Sequence, residues 1–167
     1  MKNVVLIGMP GCGKSTCGVL AAKALCKHFV DTDLVIQQNE KMPLQAILDK
    51  KGNDYFSAAE ESAVCLLQAD NAVVATGGSV VYSEKAMAHL KQNAVVIYLS
   101  ISFQTMLERI TNMGSRGILL PKGESVASMF EKRRVLYEKY ADVTLRCDKN
   151  NIETTVCEIV NAVRERE

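Results

Sequence analysis

Short, continuously apolar runs alternate along this chain with longer stretches of helical spacing. Val4-Val5-Leu6-Ile7 is apolar throughout and rich in β-branched residues, the pattern of a strand buried on both faces. Helical spacing follows over residues 14–26. Phe29-Val30-Asp31 predicts a second short strand, with a helix from about Leu34. Pro43 suits the first turn of another helix and Gly52 its end. A long amphipathic helix is predicted over about residues 55–69, then a strand over residues 72–76 closed by Gly77-Gly78. Ser83 is placed to cap a helix through Gln92. Residues 94–99 read as a strand, and Ser102 is placed to cap a helix to about Asn112. Residues 112–123 have no period and carry glycines and a proline. Residues 125–140 are helical and 143–146 a strand, and Ile152, Val156, Ile159, Val160 and Val163 mark a last helix.

Strands alternating with helices imply right-handed crossovers. The expected fold is α/β: a five-stranded parallel sheet with helices on both faces. Ligands on such sheets lie beyond the carboxyl ends of the strands. Those ends are Gly8, Asp31, Gly77 and Ser100, so the chemistry is expected beside them. With 167 residues and no linker, repeat or low-complexity segment, a single domain is expected.

Composition removes several functions. The net charge is +1 from 20 basic and 19 acidic residues, and the charges are dispersed without a basic stripe, so no nucleic-acid partner is expected. No apolar run nears the roughly 20 residues that span a bilayer, and no membrane association is expected. Met1-Lys2-Asn3 leads straight into a strand, with no room for a signal peptide, and a cytoplasmic monomer is the expectation. The 6 cysteines form no Cys-x-x-Cys pair and only 2 histidines accompany them, which argues against structural zinc. Reduced, buried thiols are expected, except that Cys12 sits in a glycine loop where thiol reagents are expected to reach it.

That loop is the most specific feature. Gly8-Met9-Pro10-Gly11-Cys12-Gly13-Lys14-Ser15-Thr16 matches the phosphate-binding pattern G-x-x-x-x-G-K-[ST] in full, between a predicted strand and a predicted helix. Glycines let successive N–H groups turn toward phosphate oxygens, and the helix start adds its positive end. Lys14 is expected to reach the β- and γ-phosphates of ATP, and the Ser15 hydroxyl to ligate Mg²⁺. A GTPase is a poor match. Asp49-Lys50-Lys51-Gly52 falls where a helix should end, and no Asn-Lys-x-Asp string exists.

At the second strand end, Asp31-Thr32-Asp33 sets two carboxylates two residues apart. If extended, both face the same way, toward the loop. One could then hold Mg²⁺ through water and the other accept a hydroxyl proton. The alternative is that Asp33 caps the next helix and Asp31 is a solvated strand end.

Taken in order, residues 8–16, Asp31-Thr32-Asp33, Phe56 with Glu60, Gly77-Gly78, Arg109, Arg116 with Leu119-Leu120, and Arg133 with Leu136-Tyr137 resemble the shikimate kinase family across nearly the whole chain. The resemblance implies a P-loop kinase fold with a substrate-binding subdomain over about residues 33–61 and a lid over about 112–124. It implies ATP and Mg²⁺ as cofactors, with Gly11, Cys12, Gly13, Lys14, Ser15 and Thr16 on the nucleotide and Asp31 assisting the metal. Asp33 would bind the acceptor hydroxyl and serve as base. Gly78 would touch the substrate, Arg133 would hold a substrate carboxylate, Arg109 would pack on adenine, and Arg116 would reach the phosphates from the lid. Lys14, Asp33 and Arg116 are the expected catalytic set.

Three positions depart from the family's pattern. Ser57 stands where an arginine usually follows the phenylalanine, and a serine cannot make the bidentate pair of a guanidinium with a carboxylate. Ser79 replaces a third glycine, and Gly117 replaces a proline after the lid arginine. The nucleotide half is thus intact and the acceptor half altered. Three readings follow: a shikimate kinase with a rearranged carboxylate clamp, a related kinase for another small hydroxy compound such as homoserine, or a nucleotide-binding domain without turnover. Shikimate, giving shikimate 3-phosphate on the route to aromatic amino acids, is the leading acceptor.

Overall fold

In the computed structural model, residues 2–112 and 120–166 are described, and of Thr111 and Asn112 only the backbone. The strands are β1 (Asn3–Ile7), β2 (His28–Asp31), β3 (Ala72–Ala75), β4 (Ala94–Ser100) and β5 (Val143–Arg146). The helices are α1 (Lys14–Ala24), α2 (Thr32–Glu40), α3 (Leu44–Cys65), α4 (Glu84–Lys91), α5 (Phe103–Asn112), α6 (Val126–Tyr140) and α7 (Ile152–Arg164). The strands form one sheet in the order β2-β3-β1-β4-β5, and every neighbouring pair is parallel.

Strand β1 lies at the centre, with Val4 opposite both Val73 and Val95, and Val4 through Ile7 are essentially without solvent contact. This accounts for the unbroken apolar run: a central parallel strand is covered on both faces. The edge strand β5 instead alternates half-buried and exposed residues. The main core surrounds the sheet, and a smaller cluster of Ile36, Ile47, Phe56 and Ala63 packs α2 against α3. That second cluster makes a separate wall beside the carboxyl end of β2. Among the described residues no helix is long and apolar enough to cross a membrane.

Several boundaries differ from the sequence expectation for identifiable reasons. Gly52 ends one helical segment, as expected, and the difference lies beyond it. It takes φ 82, ψ 175 inside α3, so the helix breaks for one residue and resumes, ending at Cys65 well before residue 69. Helix α2 begins at Thr32, directly after the strand, because the Asp31 carboxylate caps it by accepting from the Asp33 N–H. A short 3₁₀ turn, Val80–Tyr82, precedes α4, whose cap is Ser83 as expected, accepting from the Ala86 N–H. Residues 113–119, most of the expected lid together with Arg116, Gly117 and Leu119, lie outside the described residues.

Candidate active site

The loop between β1 and α1 turns back on itself in a way only glycine permits at its start. Gly8 has φ 149, and a β-carbon there would lie 2.6 Å from the Leu99 carbonyl oxygen and 2.8 Å from Cys12 Sγ. Helix α1 then opens with no side-chain cap and no acidic residue in its first turn, which leaves its positive end toward the loop. Lys14 is buried. Its ammonium donates to the carbonyls of Gly8 (2.7 Å) and Met9 (3.0 Å), and Cys12 Sγ lies 3.6 Å away. The lysine is thus folded across its own loop. Cys12 is buried as well, with 2% exposure, so the expected access for thiol reagents is not found. Burial also pushes up the thiol of Cys17 nearby.

Beside the loop, Ser15 Oγ donates to Asp31 Oδ2 at 2.6 Å, while Asp31 Oδ1 accepts from the Asp33 N–H at 3.0 Å. The expectation that both aspartates share the face of one extended strand is corrected here: Asp33 already belongs to the first turn of α2. Both still line one cavity of about 1070 Å³ with residues 10–17, Gly78 and Arg109. The convergence comes from the cap, which holds the Asp31 carboxylate at the start of the helix that carries Asp33. Ser15 and Asp31 supply hard oxygen donors at the edge of a phosphate cradle, a set that suits Mg²⁺ with waters and phosphates completing its shell.

The opposite wall comes from the exit of β3. The Gly77 N–H donates to Thr32 Oγ1 at 3.2 Å, tying that exit to the start of α2. A β-carbon on Gly77 would fall 2.5 Å from Glu60 Oε2 and 2.8 Å from Asp33 Oδ1. One on Gly78 would fall 2.9 Å from Arg133 Nη1, 3.2 Å from Pro10 Cδ and 3.4 Å from Tyr137 Oη. These glycines are required for space: the side chains of Glu60, Asp33, Arg133 and Tyr137 close on the backbone there. Tyr137 donates its hydroxyl to the Gly78 carbonyl at 2.6 Å, and its burial raises its pKa. Arg133 is 1% exposed, with its guanidinium 5.5 Å from the Tyr82 ring centre. An arginine so enclosed on α6 is not part of a solvated basic face.

Glu60 is buried on α3. The Ser79 hydroxyl donates to its Oε1 at 2.7 Å, and Oε2 has no hydrogen-bond partner among the described residues. Its pKa is raised to about 7: burial is the largest cause and the nearby Asp33 adds to it, while the bond from Ser79 and the charges of Arg133 and Lys14 work against them. In the sequence Glu60 stands out only as part of the family pattern, and nothing local to Ser79 or Tyr137 announces their contacts.

Arg109, on α5, donates to the carbonyls of Gly11 (3.1 Å) and Cys147 (3.2 Å), bridging the phosphate loop to the segment after β5. With Asn150, Asn151 and Ile152 it lines the same cavity. Ser57 is not among the residues lining this cavity. It is exposed and borders a second depression of about 580 Å³ with Lys51, Asn53, Pro121 and Lys122.

Residues 10–164 match the family model for shikimate kinase. The chain belongs to the shikimate kinase family. It is 33% identical over 167 residues to the shikimate kinase of Sulfurihydrogenibium sp. (strain YO3AOP1), covering 99% of this chain and 100% of that protein. Among solved structures, shikimate kinase from Aquifex aeolicus superposes with a TM-score of 0.81 at 29% identity, over 98% of this chain and 97% of the other. The shikimate kinase of Acinetobacter baumannii, solved in complex with shikimate, has the same fold, with a TM-score of 0.88 at 23% identity over 100% and 95% of the two chains. The fold is also shared with a thymidylate kinase from Candida albicans, at a TM-score of 0.62 and 11% identity.

Proposed function

We propose that this protein is an ATP- and Mg²⁺-dependent kinase that transfers the γ-phosphoryl group of ATP to a hydroxyl of shikimate, giving shikimate 3-phosphate. The observation that carries this reading is a single cavity in which the phosphate loop, Ser15 and Asp31 stand on one side and Asp33 and Gly78 on the other, with Arg133 directly behind Gly78.

The roles follow from chemistry. The loop backbone and the start of α1 bind the phosphate chain, and Lys14, released from its own loop carbonyls, supplies a mobile positive charge beside it. Ser15 and Asp31 hold Mg²⁺, which neutralises phosphate charge when bound. Asp33 accepts the acceptor's hydroxyl hydrogen and orients its oxygen for in-line attack, so positioning and charge stabilisation supply most of the rate. Arg133 faces the acceptor's carboxylate across Gly78 and pairs with it through a planar, always charged fork. Arg109 braces the nucleotide end by bridging Gly11 and Cys147. Arg116 is assigned to the phosphates during transfer, in line with the family pattern.

A coupled assay of ADP release with shikimate, homoserine, simple sugars and nucleoside monophosphates tests this directly. Turnover with shikimate, and phosphate found on its ring, is expected. Turnover confined to another acceptor would overturn the assignment.

A further inference from the structure

Around Glu60 the described residues set two carboxyls against two cations. Asp33 comes from α2, Glu60 from α3, Arg133 from α6 and Lys14 from α1; these are the charged groups that act on Glu60 among the described residues. Asp33 Oδ1 and Glu60 Oε2 crowd the same point above the Gly77 α-carbon. An acceptor bearing a carboxylate brings a third negative group to this space, and Ser57, on the exposed side of α3, adds no charge. Lys14 is committed to the phosphate side. Like charges in such a space are relieved when one of them takes a proton.

Glu60 is the group built to do so. It is 4% exposed, its Oε1 is fixed by the Ser79 hydroxyl, and its Oε2 lacks a partner. A proton on Oε2 removes the buried charge and creates a donor aimed at the space beside Asp33. We propose that this site binds its carboxylate-bearing acceptor with Glu60 protonated, so that Glu60 meets Asp33 and the acceptor as a neutral carboxyl. The proton comes from solvent, and acceptor binding therefore takes up as much as one proton. Ser79 is the positioning residue for this switch, since its hydroxyl holds one oxygen and leaves the other toward Asp33.

The inference rests on the shikimate reading, and one experiment separates the two. Shikimate is titrated calorimetrically into the whole chain between about pH 6 and 9, in two buffers of different ionisation heat. The expected Kd is flat on the acid side and weakens about tenfold per pH unit once Glu60 ionises, with proton uptake in step. In Glu60→Gln, Kd stays flat near the acid-side value and no proton is taken up. In Ser79→Ala the fall begins at higher pH, because the hydroxyl favours the ionised form. The uncharged carboxamide of shikimate, bound to the native chain, shows neither effect and needs no variant to fold. Tight binding of shikimate with a pH-independent Kd, or an unchanged pH dependence in Glu60→Gln, overturns the proposal while leaving the acceptor intact. Absence of shikimate binding at every pH, with ATP binding normal, overturns the acceptor reading and the proposal with it.

Discussion

The two sides of the cavity are made of different material. The nucleotide side is mainly backbone: a single loop between β1 and α1, shaped by Gly8, with the start of a helix behind it. The acceptor side is mainly side chains, drawn from α2, α3, the exit of β3 and α6, and closed around Gly77 and Gly78. A backbone site depends on conformation and leaves most side chains free to vary. A side-chain site changes whenever one contributor changes and survives only if another compensates. Ser79 meeting Glu60 is such a local arrangement, and it lies wholly on the acceptor side.

The sharpest way to break this division is Lys14→Ala. Among the described residues, Lys14 is the side chain proposed to bring positive charge to the transferring group. Its loss is expected to lower kcat by about a thousandfold or more. Coupled ADP release measures it, and turnover within about tenfold of the native protein would mean that the phosphate loop is not the catalytic cradle. Asp33→Asn should follow, with kcat reduced about 10²- to 10⁴-fold, the range for a positioned proton acceptor. ATP affinity should stay within about twofold. An equal loss of ATP binding would erase the distinction between the two sides.

This difference in material also explains what could be read from the sequence. The phosphate loop is legible because its determinants are contiguous and its glycines carry their reason with them. The sheet is legible because Val4–Ile7 and its partners are continuously apolar. Asp31 and Asp33 were found for a reason that does not hold, strand alternation, when the operative cause is a helix cap. The acceptor side was only partly legible. Ser79 meets Glu60 across 19 positions and Tyr137 meets Gly78 across 59, so neither contact leaves a local pattern. Arg133 sits beside Lys132 and Arg134 in a run that reads as a solvated face, yet Lys132 pairs with Glu124 and Arg134 with Glu131 and Glu138, while Arg133 alone turns inward. Tertiary packing makes that choice, and the sequence period does not record it.

Glu60→Gln sharpens the comparison through stability. Burial raises the Glu60 pKa from 4.5 to about 7, so the folded state binds its proton more tightly than the unfolded chain does. That contribution is fully present below about pH 4.5, declines as pH rises through about 7, and is absent above. The variant, which carries no charge at any pH, should therefore match the native protein near pH 5 or below and be more stable at pH 8, on the order of 2 kcal/mol. Thermal melts at the two pH values measure this. Equal melting points at pH 8 would mean that the buried carboxylate finds a partner once ionised.

The smallest expected effect probes where the two sides touch. Tyr137→Phe removes one hydroxyl and leaves the ring packed on Tyr98, at 5.1 Å between centres. The Gly78 carbonyl loses its 2.6 Å donor inside the protein, which should cost about 1 kcal/mol of stability. Gly78 is proposed to border the acceptor, so the acceptor KM should rise severalfold. Pro10, however, belongs to the phosphate loop and would lie 3.2 Å from a β-carbon on Gly78, so the two walls meet there. If Gly78 shifts toward the acceptor, only the acceptor KM changes and the sides are independent. If the ATP KM rises by the same factor, the shift has passed through Pro10, and the backbone cradle takes part of its shape from the side chains opposite.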